Sequence, residues 1–269
     1  MNIRQQAGFT LIELAVVFVI IAALLSYTFM PLRSQMETAY IKEARAKLNE
    51  IEESLYGYAI ANGRLPCPTE PGEGGIAQPA TPASPAVAGA DTCDVNIGFV
   101  PSNTLGIKGK VNCDGLLTDP WGRPYRYSVT NTDLSDNGDD FLEAGQLRSV
   151  ANGGEGIANV TPDLRVCSDL DENCAALTLK PFIVADNVPA VIFSMGTRER
   201  GNTNREDENA GEGAAVNSTC GLPAYLMGGD EFYYSAQRRE TAGSEFDDIL
   251  IWISPNILYG KLLQAGQIP

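Results

Sequence analysis

The sequence predicts an α+β protein: a long N-terminal helix packed on a small antiparallel β-sheet head. Three observations predict it. An apolar run, Phe9 to Met30, opens the chain after a short polar start. A stripe of apolar residues at helical spacing continues that run to about Asn62. Beyond it, short segments of alternating or continuous apolar character are bounded by Pro, Gly and Asp, as in strands joined by turns.

Residues 1–8 are polar, with Arg4 and the starting amine as positive charges. The run FTLIELAVVFVIIAALLSYTFM then holds a single charge, Glu13. About 20 apolar residues span a bilayer as a helix. Positive flanks stay cytoplasmic, so the chain after Met30 is expected outside. An ordinary secretory leader is cut after its apolar stretch at an Ala-x-Ala-like site, and none follows closely here. The polar-to-apolar switch instead lies at Gly8–Phe9. A cut there leaves the apolar helix on the mature chain, with Glu13 one helical turn from a new amine at Phe9. A carboxylate at membrane depth is costly unless paired, and the amine of a neighbouring copy would neutralise it.

From Pro31 to Asn62 the apolar residues Ile41, Ala44, Leu48, Ile51, Leu55 and Tyr58 are spaced by three and four, one face of a helix. Pro31 is expected to kink or loosen that helix, and Glu43 with Lys47 forms a favourable pair one turn apart. Asn62-Gly63 reads as the helix end.

The head follows. Arg64-Leu65-Pro66-Cys67-Pro68 leads into residues 69–92, rich in Pro, Gly and Ala and read as an extended insertion. Order returns near Gly98-Phe99-Val100. Asp119-Pro120-Trp121-Gly122-Arg123-Pro124 is a turn into a strand at Tyr125–Val129, expected to be half-buried. Further strands are expected at Pro189–Ser194 and Asp248–Ile253, and a short closing helix at Asn256–Ala265.

Composition narrows function. The 269 residues carry a net charge of -15 and no histidine. An acidic chain is a poor partner for phosphate backbones, so no nucleic acid is predicted. Without His the usual neutral-pH base and commonest transition-metal ligand are missing. No phosphate-binding Gly loop or nucleophile elbow is present either, and the chain is not expected to be an enzyme. Six cysteines, Cys67, Cys93, Cys113, Cys167, Cys174 and Cys220, form no Cys-x-x-Cys. Behind an export-type N-terminus they predict disulfides in an oxidising compartment. Cys167 with Cys174 would close a small loop, Cys67 with Cys93 would pin the Pro-rich insertion, and Cys113 with Cys220 would remain.

Gly8-Phe9-Thr10-Leu11-Ile12-Glu13-Leu14 closely resembles the N-terminal signal of type IV pilins and type II secretion pseudopilins. The resemblance implies cleavage after Gly8 by a prepilin peptidase, N-methylation of Phe9 and a role for Glu13 in filament assembly. Asp119-Pro120-Trp121-Gly122, Ser194-Met195-Gly196 and Phe246-Asp247-Asp248-Ile249 resemble the head of the major pseudopilin. The Arg-Leu-Pro-Cys-Pro element resembles a group of pilin-like proteins. The implied layout is a leader at 1–8, a transmembrane and assembly half-helix at 9–30, an amphipathic half-helix at 31–62, and a periplasmic head at 63–269. Insertions at 69–92, 133–180 and 201–223 depart from the compact pseudopilin head and favour a minor or specialised subunit.

The family reading sets the remaining expectations. The protein is a structural subunit of a type IV pilus or type II secretion system, single-pass in the inner membrane. Its partners are other pilin or pseudopilin subunits, met through the N-terminal helix, and the prepilin peptidase. The alternative is a pilin-mounted adhesin or ligand-binding protein at a filament tip. In the major pseudopilin a calcium ion ties the loop between the last two strands. The matching loop here is much longer and ends in Asp247-Asp248, so the resemblance carries over to Asp247 or Asp248 alone, with loop acids such as Asp207 and Glu208 as further candidate ligands. Calcium takes six to eight oxygens; no other cofactor is expected.

Overall fold

A computed structural model of the chain describes residues 10–78, 93, 95–130, 141–142, 147–148, 162–168, 182–197, 209, 215–216, 225–226, 232–238 and 246–268, with the backbone alone at 25–34, 215–216, 225–226 and 232. The leader 1–8, Phe9, Cys174, Asp207, Glu208, Cys220 and most of the three expected insertions lie outside the described residues.

Helix α1 runs over Leu11–Asn62 and is unbroken at Pro31. The chain divides into two compact units, Met1–Lys42 and Glu43–Pro269. In the first unit the side chains of Leu11, Ile12, Leu14, Val16–Ile21 and Leu24 are all exposed. A helix that is apolar all round needs a lipid or protein surround.

The second unit begins on α1. Ala44, Leu48, Ile51, Leu55, Tyr56 and Ala59 are fully or almost fully buried, whereas Ile41 and Tyr58 are only partly so. Lys47 turns away from Glu43. It pairs with Glu50 at 2.7 Å and donates to the Lys108 carbonyl at 2.9 Å. The helix stops at Gly63, whose φ of 67° is left-handed and whose N–H returns to the Ala59 carbonyl at 2.7 Å.

The strands are β1 (Ile97–Phe99), β2 (Arg126–Val129), β3 (Leu164–Cys167), β4 (Ile183–Val188), β5 (Ala190–Ser194), β6 (Ala215–Val216), β7 (Tyr225–Leu226), β8 (Phe232–Tyr234) and β9 (Ile249–Trp252). A four-stranded antiparallel sheet has the order β1-β2-β5-β9. A three-stranded sheet, β4-β3-β8, is antiparallel at β3–β4 and parallel at β3–β8. Helix α2 is Ser102–Leu105, and α3 is Pro255–Gln264 with proline in its first turn.

Alternation along the strands divides the packing into two layers. Tyr127, Val129, Ala190 and Ile192 face the buried stripe of α1, joined by Leu65, Ile253 and the α3 residues Leu258 and Leu262. Val191 and Phe193, one residue out of step, pack instead against Leu164, Val166, Val188 and Tyr233 of the second sheet. The half-buried strand expected at Tyr125–Val129 is therefore buried throughout, including Arg126 and Ser128. The second sheet covers the face that alternation alone would have left in water.

The Pro-rich entry is anchored from three sides. The Arg64 guanidinium donates to the Leu142 carbonyl at 3.0 Å, the Leu65 N–H to Phe141 at 2.7 Å, and the Tyr127 hydroxyl to Pro66 at 3.0 Å. Cys67 is bonded to Cys93, closing a sequence separation of 26. Cys167 is also disulfide-bonded, its partner lying outside the described residues. Cys113 is free and exposed, so the expected Cys113–Cys220 bridge is corrected. The reason is local. Asn112 Oδ1 accepts the N–H groups of Asp114 and Leu116, each at 3.0 Å, and this tight turn holds Cys113 at the surface.

Candidate functional site

Two constellations stand out. The first is at the start of α1. Glu13 Oε2 accepts the Thr10 N–H at 2.9 Å and the Thr10 hydroxyl at 2.8 Å, while the Glu13 N–H points back to Thr10 Oγ1 at 3.4 Å. This is a reciprocal capping box, which satisfies free N–H groups at a helix start. Its sequence signal is Thr10-x-x-Glu13, which charge alone does not reveal. The carboxylate thus sits on the backbone one residue from Phe9, where a cut after Gly8 would create an amine. Gly8 and Phe9 lie outside the described residues. Among the described residues no helix is long and apolar enough to cross a membrane; the described side chains stop at Leu24, inside the apolar run.

The second constellation joins three segments distant in sequence. Asp119 is buried at the turn before β2. Its Oδ1 accepts the N–H groups of Trp121 at 3.0 Å and Arg123 at 2.9 Å, and its Oδ2 accepts the Ser194 hydroxyl at 2.6 Å. Burial raises the Asp119 pKa, opposed by those hydrogen bonds and by the Arg123 guanidinium. Arg123 Nη1 reaches over to the Gly196 carbonyl at 2.6 Å, and the Gly196 N–H donates to Ser194 Oγ at 3.3 Å. The same turn then meets Asp247: its Oδ2 accepts the Thr197 N–H at 2.7 Å and the Thr197 hydroxyl. The Asp-Pro-Trp-Gly, Ser-Met-Gly and Phe-Asp-Asp segments, read separately in the sequence, converge here.

The two neighbouring acids are divided. Asp248 Oδ2 accepts Asn209 Nδ2 at 2.8 Å; the same amide nitrogen donates to the Tyr234 carbonyl at 2.8 Å, and Asn209 Oδ1 accepts the Tyr234 N–H at 2.7 Å. Asn209 thereby ties its loop to β8 and β9, a role the sequence reading missed because nothing in the local pattern marks one amide among many acids. Asp247 is 7% exposed, and its Oδ1 meets no hydrogen-bond partner among the described residues. A buried carboxylate oxygen left unpartnered is costly, and a hard cation would satisfy it. Calcium takes six to eight oxygens, and the described residues bring this one free carboxylate oxygen to the corner. No group of three or more Asp, Glu or Cys side chains is gathered for a metal among the described residues.

Residues 3–29 match the family model of the prokaryotic N-terminal methylation motif. Among curated proteins the chain is similar to the type II secretion system core protein G of Pseudomonas aeruginosa, 29% identical over 149 residues that cover 54% of this chain and 92% of that protein. It is 32% identical over 124 residues to the protein of that name from Dickeya chrysanthemi, covering 46% of this chain and 68% of the relative. The Aeromonas hydrophila protein of that name is 30% identical over 126 residues, covering 47% of this chain and 75% of the relative. No solved structure matches this chain significantly.

Proposed function

Because the chain belongs to the family of the type II secretion system core protein G, we propose that it is a structural subunit of a periplasmic filament, released for assembly by a prepilin peptidase cut after Gly8 and methylation of Phe9. The observation that carries the reading is the N-terminal methylation motif over residues 3–29. It is supported by the exposed apolar side chains of Leu11–Leu24, which need neighbours or lipid. In this reading residues 9–30 cross the inner membrane once, residues 31–62 carry the helix into the periplasm, and the head follows. Disulfides at Cys67–Cys93 and at Cys167 suit an oxidising compartment.

Glu13 is the assembly residue. In the single chain its carboxylate is satisfied by Thr10. In the filament the Phe9 amine of a neighbouring copy takes its charge, which draws subunits into axial register. Asp247 holds a calcium ion through Oδ1, with the loop that carries Asp207 and Glu208 supplying further oxygens; calcium titration of the full-length chain tests this. The matched relatives account for about half of this chain. The remaining sequence adds to the head, so the subunit is a specialised one and its partners meet a surface the compact heads lack.

Gly8→Ala tests processing and Glu13→Val tests assembly. Gly8→Ala is expected to leave the unprocessed chain in the membrane. Glu13→Val is expected to be processed and inserted normally, yet absent from sheared filaments. Filament incorporation of Glu13→Val at the level of the unaltered protein would remove the role given to Glu13.

A further inference from the structure

We propose that the open edge of β9 is a docking site for an extended segment of a partner protein, apolar and flanked by Lys or Arg, which adds to the four-stranded sheet as a further strand. Register defines the edge. The Ile253 N–H donates to the Ala190 carbonyl at 2.9 Å, and Val191 faces Trp252 in the next pair. Bonded and non-bonded pairs alternate along an antiparallel ladder, so Ile249 and Ile251 direct their N–H and C=O groups toward β5. Those of Leu250 and Trp252 point the other way, and among the described residues no strand lies beyond them. Both faces of this edge are apolar. Ile249 and Ile251 pack at the margin of the core shared with α1, Leu250 and Trp252 at the margin of the core under the second sheet, and all of them are half-buried.

The other edges of the two larger sheets are closed or guarded. Thr69 exchanges N–H and carbonyl bonds with Phe99 on β1, each at 3.0 Å. Asn209 gives both ends of its side-chain amide to Tyr234 on β8. Strand β4 presents Asp186 and the left-handed Asn187, with a φ of 54°, and register shifts interrupt its pairing with β3. Charge, proline and bulges are the usual protections of an edge strand; the sequence Ile249-Leu250-Ile251-Trp252 in regular register has none of them. An unguarded apolar edge that offers main-chain groups is what strand addition uses. A second copy is a poor occupant. The same edge on two copies meets only about a two-fold axis, which a filament of subunits pointing one way lacks, and Thr69 closes the β1 edge to a head-to-tail neighbour. The net charge of -15 repels other copies and attracts a cationic segment. The choice of a foreign segment rests on the filament reading above; the open edge itself does not.

The test uses the full-length chain in detergent and a fluorescent synthetic peptide, Lys-Ile-Val-Ile-Val-Lys, read by anisotropy. The peptide is expected to bind. Leu250→Pro is expected to weaken that binding about tenfold or more, because it removes an outward N–H and leaves the bonds to β5; proline is tolerated on the open side of an edge strand. Near-UV circular dichroism reports whether the variant is folded. Should Leu250→Pro not fold, two modified peptides carry the test on the unaltered chain. N-methylation at alternate residues leaves one peptide edge able to pair and is expected to preserve binding; N-methylation at every residue is expected to abolish it. Equal affinity for both modified peptides, equal affinity in folded Leu250→Pro, or no binding of the unmodified peptide overturns strand addition by a partner. Self-association of the unaltered chain in sedimentation that Leu250→Pro abolishes, without peptide binding, gives the edge to a second copy and overturns the choice of occupant. None of these measurements involves filament assembly, so their failure is distinct from failure of the Gly8 and Glu13 tests.

Discussion

At the scale of single residues, the head is organised by side chains whose polar groups are used more than once. Asp119 serves three donors, Asn209 ties two backbone groups and one carboxylate, and Gly196 serves by having no side chain. Gly196→Ala is predicted to lower stability by about 1–3 kcal/mol, since a methyl group meets Asp247 and the left-handed backbone disfavours a Cβ. Chemical denaturation checks it; a midpoint equal to that of the unaltered chain would contradict the close approach. Much of this was half-legible. The sequence exposed Asp119, Ser194, Gly196 and Asp247 as parts of family-like motifs, but which motif meets which depends on contacts across dozens of residues. The capping box was fully legible as Thr10-x-x-Glu13. The free state of Cys113 was not, because six cysteines define no pairing by count.

Among elements, α1 and the central strands carry the core. The buried stripe was readable from spacing, although it runs through Tyr56 and Ala59 where the sequence pointed to Tyr58. The strands β2, β5 and β9 announced themselves by apolar runs beside turn residues. The short strands β3 and β8 did not: each has three or four residues, and their pairing is parallel and remote. Two attachments of α1 differ in burial. Leu55 is fully buried in the core shared with the sheet and α3, so Leu55→Ala should cost about 2–5 kcal/mol. Lys261 of α3 pairs with Glu53 at 2.9 Å at the surface and lies over the Tyr56 ring at 4.8 Å. Exposed pairs contribute at most about 1 kcal/mol, so Lys261→Ala should fall well below Leu55→Ala in the same denaturation experiment. An equal loss for both would mean that charge, not packing, fastens α3.

At the scale of the whole molecule, the chain carries two kinds of apolar surface with different fates. In the unit that begins at Glu43, apolar side chains are enclosed by α1, two sheets and α3. In the unit that ends at Lys42 the large apolar side chains described from Leu11 to Leu24 are exposed. Under the proposed function the exposed set is placed first in a membrane and then among other subunits. The fold class was legible because it follows from periodicity. The second sheet was not: β3 lies within a segment read as an insertion, and β4 and β8 are short strands where no element was expected. It gives this subunit a layered head while the assembling end keeps the family pattern. The central claim is that this end is made by a cut that spares the apolar helix. Mass spectrometry and N-terminal sequencing of the mature protein from membranes test it most directly. The account predicts a chain that begins at Phe9 with a methylated amine; a retained Met1, or a first residue beyond Met30, would contradict it.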